Sequence, residues 1–79
     1  MANEILTPFS QEAKNLMLGL YEHYSGKKYR VLGVGRHSES LEEMVVYEAQ
    51  YGDKDIWIRP LGMFIENVNG KPRFRYLGL

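Results

Sequence analysis

The chain has 79 residues, a length that suits one small domain. Ten basic and ten acidic side chains give a formal net charge of zero, which argues against binding nucleic acid through overall charge. The absence of cysteine excludes disulfides and thiolate metal sites. We therefore expect a cytoplasmic globular domain without a cofactor, and we predict no signal peptide and no contact with a membrane.

Residues 1–18 are predicted to form a tail and a short helix, with residues 1–6 as the tail. Thr7 followed by Pro8 predicts a helix start, with Thr7 as the N-cap and Pro8 in the first position. Apolar residues then recur at helical spacing, at Phe9, Ala13, Leu16, Met17 and Leu20. Gly19 is the predicted helix stop. A lone short helix is marginal in water, so this face must pack, either on the rest of the chain or, alternatively, on a partner.

Residues 19–79 read as short strands joined by turns. The predicted strands are residues 20–24, 29–35, 44–51, 56–59 and 72–77, and Gly33 and Gly35 predict a bulge or bend in the second of them. A helical turn is predicted at Leu61–Phe64 and a hairpin turn at Asn69-Gly70. We therefore predict a mainly β fold, a small closed or nearly closed barrel of about five strands, because closure removes exposed strand edges. The alternative is an open sheet with the N-terminal helix across one face.

A series of short motifs covers most of residues 19–74. They are Tyr21-Glu22-His23-Tyr24, Gly26, Arg36-His37-Ser38-Glu39-Ser40-Leu41-Glu42, Val45-Val46-Tyr47, Tyr51-Gly52, Trp57-Ile58-Arg59-Pro60, Met63-Phe64 and Pro72-Arg73-Phe74. Through these motifs the chain resembles the bacterial family called domain of unknown function 1653. The resemblance implies an SH3-like barrel domain, here residues 19–79, and it implies no activity. Ser40 departs from the family pattern, which usually has Thr there, and the helix before Gly19 lies outside the family core.

Polar and aromatic residues of the motifs are the candidate ligand-binding residues. They are Tyr21, His23, His37, Ser38, Glu39, Arg59 and Arg73. Tyrosine is common on binding surfaces, and arginine suits the recognition of a carboxylate or phosphate. We therefore predict a non-catalytic binding module whose ligand is a peptide, a nucleic acid or a small anion. In the alternative, the two arginines pair with Glu39 or Glu42 and hold the 37–42 loop against the barrel.

Basic residues fall into two stretches, residues 27–36 and residues 71–75. If the two stretches are neighbours in space, they form a basic patch in spite of the neutral total. The ordinary interpretation of such stretches is that they are the solvated faces of strands.

A small enzyme is the alternative function. His23, His37 and Glu39 supply the two histidines and one carboxylate of a catalytic metal site, and Ser38 with a histidine and an acid supplies a nucleophilic triad. Nothing in the spacing brings these side chains together, and no glycine-framed nucleophile turn is present. The sequence therefore favours a protein that is not an enzyme. A third hypothesis is a homo-oligomer that docks through the helix face of residues 9–20.

Overall fold

The computed structural model describes residues 7–79, so the predicted tail of residues 1–6 lies outside the described residues. This part of the chain forms α1 (Gln11–Asn15), β1 (Gly19–His23), β2 (Lys28–Arg36), β3 (Glu43–Ala49), β4 (Ile56–Pro60), α2 (Leu61–Phe64), β5 (Asn67–Val68), β6 (Lys71–Pro72) and β7 (Phe74–Gly78). The predicted strands are present, with bounds that move by at most two residues. The turn at Asn69-Gly70 joins β5 to β6, as predicted. No helix among residues 7–79 is long and apolar enough to cross a membrane.

Five of the strands form one antiparallel sheet in the order β4-β3-β2-β1-β7. The first four lie beside their neighbours in the chain, whereas β7 returns to pair with β1. The bulge predicted at the glycines of β2 lies between Val31 and Gly33, where the pairing with β3 shifts. A mainly β domain behind a short helix is thereby confirmed. Within residues 7–79, β4 and β7 do not pair with each other, so the ladder is open and the SH3-like barrel stays a prediction.

The N-terminal helix begins later and is shorter than predicted. Its N-cap is Ser10, not Thr7, and the Ser10 hydroxyl accepts a hydrogen bond of 3.1 Å from the backbone N–H of Ala13. The helix ends at Asn15, with Leu16 as its C-cap in extended conformation, so the predicted apolar face of residues 9–20 does not continue as one helix. A distant contact selects the cap, because the backbone N–H and the hydroxyl of Ser10 both donate to the Glu43 carboxylate at 2.6 Å.

Gly19 does not stop the helix as predicted but begins strand β1. Its φ is +127°, and a Cβ built on it would lie 2.5 Å from the carbonyl oxygen of Gly78. Because real Cβ atoms do not approach a carbonyl this closely, only glycine lets β1 and β7 come together at this point. The apolar residues that looked like one helical face therefore belong to two elements.

The core lies on one face of the sheet and is closed by both helices. Its buried residues are Ala13, Tyr21, Val31, Val45, Tyr47, Leu61, Phe64 and Phe74. Phe64 of α2 is 1% exposed, and its ring stacks on Phe74 with the centroids 4.0 Å apart and the planes at 9°. Ala13 brings α1 onto the same core, so the helix packs on its own sheet, which was the first of the two arrangements expected from the sequence.

Candidate functional site

An aromatic cluster surrounds His23 at the end of β1. The ring centroid of His23 lies 4.3 Å from that of Tyr24 and 4.9 Å from that of Phe74. Tyr29 contacts Phe74 at 5.8 Å and Tyr51 at 5.5 Å between centroids. The hydroxyl oxygens of Tyr29 and Tyr51 are 2.6 Å apart. The cluster reaches the protein surface, because Tyr24 is 60% exposed and Tyr51 is 37% exposed.

Cationic side chains from three parts of the chain reach this cluster. The Nζ atom of Lys27 lies 4.9 Å from the ring centroid of Tyr51. The guanidinium carbon of Arg59 lies 5.8 Å from the ring centroid of Phe74, and its Nε donates to the hydroxyl of Tyr47 at 3.2 Å. Arg73 directly precedes β7, and its charge lies close enough to His23 to lower the pKa of the imidazole. We call this region the basic aromatic surface, formed by His23, Tyr24, Lys27, Tyr29, Tyr51, Arg59, Arg73 and Phe74.

His23 is a neutral hydrogen-bond donor at this surface. Burial and the nearby charges of Arg59 and Arg73 lower the pKa of His23 below its ordinary value of 6.5. The imidazole is therefore mainly in its neutral form at pH 7. The backbone N–H of Ser25 donates to Nδ1 at 3.1 Å, which leaves the proton of the neutral ring on Nε2. His23 can consequently offer an N–H group to a ligand without adding a charge.

The negative charge near these cations comes from Glu66. Its Oε1 lies 2.6 Å from Nη2 of Arg73. The Nε atom of Arg73 is buried and has no hydrogen-bond partner among residues 7–79. Arg59 has no ion pair within the same part of the chain. Arg59 and Arg73 therefore do not pair with Glu39 or Glu42, and the alternative predicted from the sequence is wrong.

The 37–42 loop between β2 and β3 is ordered by its own polar groups. The Nδ1 atom of His37 accepts hydrogen bonds from the backbone N–H groups of Glu39 at 3.1 Å and Ser40 at 3.3 Å. The Ser40 hydroxyl accepts one from the backbone N–H of Glu42 at 3.2 Å. Ser38 is exposed in the same loop. These contacts give the polar residues of the loop a structural role, and the structure does not join them to the basic aromatic surface.

Three of the seven candidate residues meet at that surface, namely His23, Arg59 and Arg73. Tyr21 is a core residue instead, since it is 5% exposed and its hydroxyl donates to the carbonyl of Met17 at 2.6 Å. The other five members of the surface were not among the candidate site residues of the sequence, namely Tyr24, Lys27, Tyr29, Tyr51 and Phe74. The sequence pattern predicted Tyr29 and Tyr51 as strand residues. Phe74 lies beside them only because β7 pairs with β1, which the sequence pattern does not indicate.

The alternative metal site is not assembled. No group of three or more histidine and acidic side chains within residues 7–79 is arranged to hold a metal ion. His23 lies on β1, whereas His37 and Glu39 lie in the 37–42 loop. The Ser25 hydroxyl lies 2.9 Å from Nδ1 of His23, but this contact spans two residues and closes a local turn. The side chains at the basic aromatic surface offer cations, N–H donors and ring faces.

The two basic stretches of the sequence flank β1 and meet only in part, because Lys27 of one and Arg73 of the other both lie at the basic aromatic surface. Glu22 of β1 lies opposite Lys28 of β2 and opposite Arg75 of β7 in the strand register. Its Oε1 is 2.6 Å from Nη2 of Arg75. The basic patch predicted from the two stretches is therefore divided by the carboxylate of Glu22, which lies between Lys28 and Arg75.

Comparison with known proteins adds a family to this description. The model of the family described as protein of unknown function (DUF1653) matches residues 19–76. The crystal structure of a protein of that family from Bordetella bronchiseptica is similar to this chain, with 33% sequence identity and a TM-score of 0.77. The similarity covers 84% of this chain and 92% of that chain. No curated protein matches the chain. The family match includes every residue of the basic aromatic surface and leaves out α1.

Proposed function

The chain belongs to the DUF1653 family, and we propose that it is a non-catalytic binding module for an anionic ligand. The basic aromatic surface is the proposed site, and a carboxylate or phosphate is the group it recognises. A small anion, a peptide and a nucleic acid strand can each carry that group. The observation that supports the proposal is the convergence of Lys27, Arg59 and Arg73 on the aromatic cluster of His23, Tyr51 and Phe74, which reaches the surface at Tyr24 and Tyr51.

Each cation has a distinct part in this proposal. The hydrogen bond from Nε of Arg59 to the Tyr47 hydroxyl fixes the guanidinium plane and leaves both of its Nη groups for an anion. Lys27 adds a mobile point charge beside Tyr51. The neutral His23 donates from Nε2. An oxyanion at the surface would therefore meet donors from three separate elements.

The exposed rings favour a ligand with a planar part next to its anionic group. Tyr24 is 60% exposed and packs against His23 with ring planes at 35°. Stacking of a planar group on such a ring contributes about 1–3 kcal/mol for a nucleic acid base. Glu66 is already paired with Arg73, so the surface offers donors and ring faces and no separate acid and base. This supports binding and not catalysis.

A titration followed by nuclear magnetic resonance tests the proposal. The isotopically labelled protein is titrated separately with inorganic phosphate, adenosine monophosphate, a single-stranded oligothymidylate and an oligoglutamate peptide. We expect the backbone signals of His23, Arg59 and Arg73 to shift. A tighter response to adenosine monophosphate than to phosphate would measure the contribution of the rings. If none of the four probes shifts these signals, the proposal is wrong.

A matched pair of variants separates a specific site from general charge. Arg59→Gln should weaken binding about 10-fold to 100-fold, because a hydrogen bond to a charged group contributes about 1.5–3 kcal/mol. Arg30→Gln is the control, because this substitution removes one positive charge as well. On strand β2, Arg30 lies on the face opposite that of its neighbours Tyr29 and Val31. Circular dichroism confirms that both variants are folded. Equal losses in the two variants would show that net charge, and not the surface, governs binding.

A further inference from the structure

Strand β4 (Ile56–Pro60) is an edge of the five-stranded sheet and is strongly apolar. Ile56, Trp57 and Ile58 are 53%, 48% and 62% exposed, so both faces of this edge are open to solvent. Soluble proteins usually protect such an edge with charges or a covering segment, because its free N–H and C=O groups can pair with another strand. The other edge, β7, carries the charged Arg75. Within residues 7–79, the most apolar stretch at either edge of the sheet is therefore Ile56–Ile58, which precedes Arg59 and Pro60 of the same strand.

The register shows which backbone groups of β4 point away from the sheet. The backbone N–H of Ala49 donates to the carbonyl of Asp55 at 2.9 Å. In an antiparallel ladder such hydrogen-bonded pairs alternate with pairs that do not exchange hydrogen bonds. Trp57 and Arg59 consequently bond to β3, whereas the N–H and C=O groups of Ile56 and Ile58 face outwards. Pro60 has no N–H to offer and closes this edge.

We propose that this edge binds the β4 strand of a second copy of the chain, antiparallel, with the two-fold axis at Trp57. Ile56 of each copy then lies opposite Ile58 of the other, and the two pairs exchange four main-chain hydrogen bonds. The two Trp57 side chains face each other across the axis. The result is a ten-stranded sheet that runs through both copies. This interaction does not depend on the proposed anion-binding function, but the two share Arg59, so they are tested separately.

The charges of the strand identify a second copy as the occupant. Two-fold pairing at Trp57 places Arg59 of each copy opposite Asp55 of the other copy, which gives two pairs of opposite charge. Trp57, Asp55 and Arg59 lie on the same face, because alternate residues of a strand share a face. Directly opposed residues have Cβ atoms about 4.5–5.5 Å apart, which is within the reach of an ion pair. Asp55 is exposed and makes no ion pair within residues 7–79.

A neighbouring register lacks this complementarity. An axis at Ile58 would place Ile56 opposite Pro60, whose missing N–H removes one hydrogen bond from each pair. It would also place Asp55 opposite Leu61, a carboxylate against an apolar side chain. Of these two registers, the charges and the position of Pro60 therefore favour the axis at Trp57.

The interface is small, so we expect a weak dimer. Stable interfaces bury about 1,200–2,000 Å² in total, whereas one pair of five-residue strands falls in the range of transient contacts. Sedimentation velocity from about 10 µM to about 1 mM should show the average mass rising from 9.2 kDa toward twice that value. Trp57 is the only tryptophan, so its emission should shift to the blue over the same range. Added salt should weaken the dimer by screening the Arg59–Asp55 pairs.

Variants with exchanged charges provide the decisive test, in the absence of any anionic probe. Asp55→Lys should be monomeric, because it opposes Arg59 with a like charge. Arg59→Glu should be monomeric for the same reason. A mixture of the two should recover the dimer, because both opposed pairs again have opposite charges. Asp53→Lys, an exposed change of the same charge in the adjacent turn, is the control and should dimerise like the unaltered protein.

Three results would overturn the proposal. One is a constant mass of 9.2 kDa up to the highest concentration, which would leave the edge to a strand from a different protein. Another is a dimer that Asp55→Lys and Asp53→Lys weaken equally. The third is a mixture of the two charge variants that stays monomeric while circular dichroism shows both to be folded.

Discussion

Replacing Phe64 with leucine should destabilise the domain by about 1.5–4.5 kcal/mol. The Phe64 ring stacks on Phe74 at 4.0 Å and makes edge contacts with Tyr21 and Tyr47, both at 5.4 Å between centroids. An aromatic pair contributes about 0.5–1.5 kcal/mol beyond the area it buries, and leucine loses all three pairs while it keeps an apolar side chain. A chain of 79 residues has a total stability of about 4–12 kcal/mol, so the change removes a large fraction of it.

Urea titration followed by circular dichroism measures this effect. The dependence of stability on urea in a domain of this size is about 1 kcal/mol per molar, so the midpoint should fall by at least about 1.5 M. Met63→Ala is the control in the same helical turn, because Met63 is 47% exposed and should change stability by less than about 0.5 kcal/mol. If Phe64→Leu stays within that same margin, the stacked rings are not the centre of the core and the reasoning fails.

Two further predictions concern the backbone of β1 and the charge of His23. Gly19→Ala should destabilise the protein severely, because the new Cβ would lie 2.5 Å from the Gly78 carbonyl oxygen. Gly35→Ala is the control, because a Cβ at that position has no atom within 4 Å. Equal urea midpoints for the two variants would contradict this prediction. The titration midpoint of the His23 ring in proton spectra should lie below 6.5 and should rise in Arg59→Gln, and a midpoint at or above 6.5 would refute the assigned surroundings. The pKa of His23 is lower in the folded state than in the unfolded state, so its contribution to the free energy of unfolding is complete above pH 6.5. This contribution is lost as the pH falls from 6.5 toward the folded-state pKa.

The sequence alone determined the strands, because their signals are local. Alternating apolar residues and the turn residues between them located the five principal strands within two residues of their observed bounds. Pro60 marked the start of the helical turn at Leu61–Phe64, and Asn69-Gly70 marked a hairpin. The motifs also identified the family, since they follow the chain order that the family model matches. Each of these features depends on residues that are close together in the chain.

The candidate site was only partly predictable. His23, Arg59 and Arg73 are residue types suited to ligand binding, and the sequence singled them out. Their proximity depends on the return of β7 to pair with β1, which no short stretch of sequence encodes. His37 was chosen for the same chemical reason, yet its ring is used to hold the backbone of its own loop. A sequence shows which side chains have a suitable chemistry, but it does not show which of them lie close together in the fold.

The tertiary structure decided the features that depend on distant partners. The local sequence predicted Thr7 as the cap, whereas two hydrogen bonds to the carboxylate of Glu43, 33 residues away, hold Ser10 in that position. Gly19 fits a helix end by composition, but the approach of Gly78 makes it the start of a strand. Local propensities differ by about 1 kcal/mol or less, so one long-range hydrogen bond or steric contact is enough to override them. The sequence therefore determined which segments are extended, and packing in three dimensions decided where the helix begins and which side chains meet.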